Sequence, residues 1–177
     1  MKFMSIILSA LFFAAGCASS KKEEVTPSPK LPTTLQEAVE SPFRSADFKE
    51  RDKYRHPMET LEFFGVKPDM KVVEITPGKG WYMEILAPYL ASNGQYIGAL
   101  PAEKKDNDYI GKMNKQVNDW KTAHPQVATK MEFVEFDPKS KPLAEEGSVD
   151  MVVTFRNTHN WMNSGIELDT YKAFFKA

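Results

Sequence analysis

Only one cysteine, Cys17, occurs in 177 residues, so no disulfide can form within the chain. Formal charges nearly cancel, with 23 Lys and Arg against 24 Asp and Glu, and there is no long basic run. That balance argues against nonspecific nucleic-acid binding as the main activity. The three histidines, His56, His124 and His159, are scattered, and no helical stretch carries paired ligands at metal-binding spacing, so no metal site is expected. A Gly-x-Ser-x-Gly elbow and a phosphate loop ending in Lys-Ser or Lys-Thr are both missing, as is any internal repeat. The longest apolar run, residues 3 to 16, is too short for a comfortable membrane span. What remains is ordinary globular composition, 42% hydrophobic, with room for one domain.

The amino terminus differs from the rest. Lys2 precedes the apolar run, and Ala14-Ala15-Gly16 before Cys17 is a small-residue cleavage pattern, so residues 1–17 read as a secretory signal. Ala-Ala-Gly-Cys resembles a bacterial lipobox, with Ala14 where leucine is commonest. The resemblance implies lipidation of Cys17, and Ala18 after it resembles the sorting pattern for the periplasmic side of the outer membrane. Residues 18–34 are rich in Ser, Lys, Glu, Thr and Pro and too polar to bury themselves, so they read as a disordered tether. The expected domain spans 35–177 and opens with a helical flank, 35–65, in which a dense mixed-charge run reads as a solvated face or a lid over the turn described next.

The domain is organised around Met70-Lys71-Val72-Val73-Glu74-Ile75-Thr76-Pro77-Gly78-Lys79-Gly80-Trp81-Tyr82. Its short β-branched run reads as a buried parallel strand, and a glycine turn follows it. A helix over 81–91 is expected to direct its free N–H groups back at the turn, where glycine lets a ligand approach the backbone. Two glycines also serve ordinary tight turns. Further strands are expected at 95–100, 131–136 and 149–155, with helices at 107–123 and 166–176 and a polar, aromatic loop at 156–164. This alternation predicts an α/β, Rossmann-like, doubly wound parallel sheet with right-handed crossovers. Four strands are visible. The apolar fourth strand and an uncapped last helix suggest a sheet that continues beyond Ala177.

Glu74, Pro77-Gly78-Lys79-Gly80-Trp81-Tyr82 and Phe155-Arg156-Asn157-Thr158-His159-Asn160-Trp161 together resemble a bacterial group of class I S-adenosylmethionine-dependent methyltransferases, from about residue 41 to the last. The resemblance implies S-adenosylmethionine as cofactor, with Glu74, Gly78 and Gly80 at its methionine part and Asp137 at the adenine amino group. Two positions depart from the general family pattern. Thr76 replaces the first turn glycine, and Leu100-Pro101 replaces the ribose-binding acid, with Glu103 the nearest carboxylate.

The chemistry of methyl transfer gives the other residues roles. An aromatic face such as Tyr82 or Trp161 stabilises a sulfonium by roughly 0.5–2 kcal/mol. In-line displacement depends on alignment, which Asn157 and Asn160 can supply, with Arg156 and Trp161 facing a small-molecule acceptor. His159 can take a proton from an oxygen or nitrogen acceptor. Each residue also has a plainer use, in packing or in satisfying turn backbone. Two alternatives stay open: a noncatalytic ligand-binding lipoprotein on the same scaffold, and a dinucleotide oxidoreductase, for which a third glycine and a second-strand acid are missing.

Overall fold

A computed structural model describes residues 28–101 and 108–177. Cys17, the signal segment, most of the tether and Glu103 lie outside the described residues. In chain order the elements are α1 (Leu35–Glu40), α2 (Ala46–Lys49), α3 (Asp52–Arg55), α4 (Pro57–Phe64), β1 (Lys71–Ile75), α5 (Met83–Leu90), β2 (Gln95–Pro101), α6 (Asp108–Ala123), α7 (Pro125–Ala128), β3 (Met131–Phe136), β4 (Met151–Thr154), α8 (Thr158–Ser164) and α9 (Glu167–Lys176). The strands are all parallel, in the order β3-β2-β1-β4, with Val73 opposite Ile97 on one side and Val152 on the other.

Strand alternation sends β1 side chains to two cores. Val72 joins Tyr96, α5 and the flank helices on one face, while Val73 and Ile75 join Ile97, Phe136, Leu143 and Trp161 on the other. Helices cover both faces, so the sheet is doubly wound and Rossmann-like. Every residue of α5 is buried, including Glu84, whose carboxylate accepts hydrogen bonds from Ser45 N (2.6 Å) and Ser45 Oγ (2.8 Å). That pairing satisfies the buried acid and fixes the flank to α5.

The flank is anchored at several more points. Thr34 caps α1 in a capping box: its hydroxyl accepts from Glu37 N, and the Glu37 carboxylate accepts from Thr34 N. The indoles of Trp120 and Trp81 donate to Phe43 O (2.8 Å) and Phe48 O (3.0 Å). Arg44 is fully buried and forms a bidentate pair with Asp52 at 2.5 and 2.8 Å while donating to Val39 O. Two tryptophans and one buried arginine thus hold short helices that could not persist alone.

The structure differs from the sequence reading in four places. The helix expected from residue 81 starts at Met83, because Trp81 and Tyr82 still belong to the turn. An extra turn of helix, α7, follows His124 with Pro125 in its first turn, where the missing N–H removes no bond. The fourth strand is shorter than expected, Met151–Thr154. Residues read as a loop after it form α8, which ends at Gly165 in the left-handed region, φ 62°, with Gly165 N and Ile166 N donating to Met162 O and Trp161 O. Poor helix formers such as Asn and His hid this helix, which Trp161 fixes to the core.

Candidate functional site

The chain runs outward from β1 through β2 to β3 and then crosses back to place β4 on the other side of β1. Loops leaving the carboxyl ends of β1 and β4 therefore diverge, and a crevice opens between them. A cavity of about 350 Å³ lies there, walled by the turn after β1, the segment after β4 and the flank residues Phe48, Arg51 and Arg55. Lid-like residues thus come from the mixed-charge run, as α2 and α3 bring them over the glycine turn.

Backbone strain concentrates at this cavity. Thr76 (φ 52°) and Arg156 (φ 65°) are non-glycine residues in the left-handed region, one at the exit of each strand. Such residues cost of order 1–3 kcal/mol each and persist where surrounding structure holds them. Thr76 N donates to Ala99 O (2.8 Å). The Asn157 amide nitrogen donates to Ile75 O (3.2 Å) and Thr154 Oγ1 (3.0 Å), tying the two exits together. Both Asn157 donors are thereby taken up by structure, so this residue positions the walls of the cavity.

Gly78 and Gly80 both have positive φ, 63° and 92°. A Cβ built on Gly78 would meet nothing within 4 Å, so open space adjoins the turn backbone. Thr76 adopts the left-handed conformation that glycine would take more cheaply, and the turn closes without the first glycine. Glu74 is 3% exposed, accepts a hydrogen bond from Tyr96 Oη at 2.7 Å, and also lines the cavity. Burial pushes its carboxyl up to about 7, with the Tyr96 bond opposing the shift. Tyr82 stacks on Phe155 with ring centroids 3.5 Å apart and sits edge-on to Trp81 at 4.6 Å; burial raises its phenol. The Arg55 guanidinium lies 5.0 Å above the Trp81 ring.

Of the residues singled out from sequence, Glu74, Gly78, Tyr82, Arg156, Asn157, His159 and Asn160 line this one cavity, with Gly80 inside the adjoining turn. Two lie elsewhere. Trp161 turns into the opposite core, edge-on to Phe174 (5.5 Å) and Tyr171 (5.9 Å), because the helix begun at Thr158 points its third following residue inward. Asp137 closes its own turn, its carboxylate accepting from Lys139 N (2.8 Å), and backbone and side-chain bonds in that turn hold its carboxyl below the usual range. It does not line the cavity. Sequence reasoning placed Arg51 and Arg55 only within a charged run over the glycine turn, without singling them out, and passed over Lys79 and Phe155 as wall residues; the four-residue spacing of the two arginines was the available signal. Among the described residues no group of three or more His, Cys, Asp or Glu could hold a metal ion, and no helix is long and apolar enough to cross a membrane.

No family model matches the chain, and no curated protein sequence matches it. Its fold is similar to that of a SAM dependent methyltransferase from Aquifex aeolicus, with a TM-score of 0.54 at 16% identity, over 81% of this chain and 66% of that one. YjhP from E. coli is similar at a TM-score of 0.42 and 13% identity, over 80% of this chain and 50% of that one. The chain thus spans less than two thirds of the length of each, and the likeness to the Aquifex protein is one of fold.

Proposed function

We propose that this chain is an S-adenosylmethionine-dependent methyltransferase of a small-molecule acceptor, exported and held at the membrane through a lipidated Cys17. The observation that carries the reading is the cavity at the switch between β1 and β4, which joins a buried acid, an open glycine turn and a polar post-strand segment. The open side of Gly78 suits close approach of a ligand backbone or carboxylate, and Glu74 is an acid suited to an ammonium group. The likeness in fold to the Aquifex protein supports the same reading.

When bound, the cofactor supplies an electrophilic methyl group on a sulfonium. Glu74, Gly78 and Gly80 would hold its amino-acid portion, with Tyr82, stacked on Phe155, as part of the cavity wall. Asn160 and Arg156 orient the acceptor, Asn157 keeps the two strand exits in register, and His159, exposed at the rim, takes the acceptor proton. A noncatalytic binding protein is the second reading. It is favoured by Leu100-Pro101 at the end of β2, which offers no carboxylate, and by Asp137 being engaged in its own turn.

Calorimetric titration of S-adenosylhomocysteine into the full chain in detergent micelles tests the proposal. Micromolar binding, about −8 kcal/mol, that is lost in Gly78→Val supports the cofactor site. A folded protein that binds neither S-adenosylhomocysteine nor S-adenosylmethionine leaves the noncatalytic reading.

A further inference from the structure

The charge on the cavity wall is one-sided. Arg51 and Arg55 reach it from the flank, Lys79 from the glycine turn and Arg156 from the exit of β4, against a single lining acid, Glu74. Among the described residues none of these four cations is in an ion pair; the nearby Asp52 is held in a bidentate pair by Arg44. Arg55 feels both Arg51 and Arg156 as repulsive neighbours, so the three guanidiniums, drawn from two distant stretches of sequence, share one electrostatic environment. Like charges gathered at a cavity without ion-pair partners among the described residues can hold an anion, and guanidinium forks suit the oxygens of carboxylate or phosphate.

We propose that Arg51, Arg55 and Arg156 form an oxyanion subsite for the acceptor, so that the molecule processed here is a carboxylic acid or a phosphate ester. This rests on the methyltransferase reading, because the charge count then leaves guanidiniums open to a second, anionic occupant. S-adenosylmethionine carries two positive groups and one carboxylate, so it adds net positive charge and can neutralise one guanidinium at most. The acceptor is the second occupant that can supply anionic oxygens to the others. Arg51 and Arg55 lie on the flank and Arg156 at the exit of β4, so the acceptor's charged end bridges the two sides of the cavity.

The test is calorimetric titration of inorganic pyrophosphate and of citrate into the full chain at low ionic strength, with and without saturating S-adenosylhomocysteine. One probe is expected to bind saturably with a submillimolar Kd, and that probe assigns the class, phosphate ester or carboxylic acid. Arg51→Gln with Arg55→Gln should weaken it at least tenfold, whereas Lys115→Gln with Lys130→Gln, an equal change of charge at two exposed residues that do not line the cavity, should change it less than twofold. S-adenosylhomocysteine affinity should stay within threefold in the double variant. Failure of both probes to bind, or equal weakening by Lys115→Gln with Lys130→Gln, would overturn the subsite. A parallel tenfold loss of S-adenosylhomocysteine affinity would also overturn it, by giving the cluster to the cofactor carboxylate. Arg51- and Arg55-dependent probe binding by a protein that never binds S-adenosylhomocysteine would support the oxyanion subsite and sink the methyltransferase reading instead.

Discussion

Glu74 makes the stability of this fold depend on pH in a direction opposite to that of most carboxylates. Its side chain is buried beneath the cavity with Tyr96 Oη as its hydrogen-bond donor, and burial moves the carboxyl from the ordinary 4.5 up to about 7. The folded chain therefore binds a proton that the unfolded chain releases. The stabilisation is fully present below about pH 4.5 and is lost as pH rises through about 7; the whole effect is about 3 kcal/mol. Between pH 5.5 and 8 the same linkage leaves about 2 kcal/mol. Urea unfolding of the wild type and Glu74→Gln at both pH values isolates it, since Glu84, raised by its own burial, and His124, lowered by burial, titrate alike in both proteins. Wild type should lose about 2 kcal/mol more than the variant on going from pH 5.5 to 8. Parallel stabilities, within about 0.5 kcal/mol, would refute the assignment of a buried, proton-holding Glu74.

Three further outcomes follow from the geometry. Arg44→Ala removes a buried guanidinium that pairs Asp52 and Val39 O, so chemical denaturation should show a loss of about 3–5 kcal/mol. Alanine at Gly94 would bring its Cβ to 2.3 Å from Met70 O and 2.8 Å from Pro68 O, both rigid backbone, and should lower stability by about 3 kcal/mol. Alanine at Gly78 meets only open space, so it should cost only the roughly 1–2 kcal/mol of its left-handed φ while weakening S-adenosylhomocysteine binding at least tenfold. Equal destabilisation by the two glycine substitutions would contradict this contrast between packing and conformation.

The parallel sheet was legible because its signals are local. Val72, Val73 and Ile75 are β-branched and end in a glycine turn, and the amphipathic run from 107 to 123 reads at helical period, so periodicity and punctuation together give strand and helix in alternation. The strand order was not legible, because nothing local says that β4 returns to the far side of β1. Nor was α8, whose Thr, His and Asn residues favour turns in isolation and are held helical by Trp161 and the Gly165 cap.

The site divides along the same line. Glu74, Gly78 and Tyr82 belong to one continuous stretch, and Arg156 to Asn160 to another, so their type and position after strands could be read directly. Asp137 and Trp161 shared those cues, but the structure turns them away, because side-chain direction depends on how the next turn closes: an Asx-type turn at Lys139 for one, a helix for the other. Arg51 and Arg55 show the converse. Their sequence context is a solvated charged face, and only the anchoring of the flank through Trp81, Glu84 and Arg44 carries that face over the glycine turn. Glu84 and Arg44 do not line the cavity and Trp81 does, yet together the three anchors put cationic side chains at its wall. Loosening any one of them should alter ligand binding before it unfolds the sheet, since the flank contributes to the wall of the cavity and no strand to the sheet.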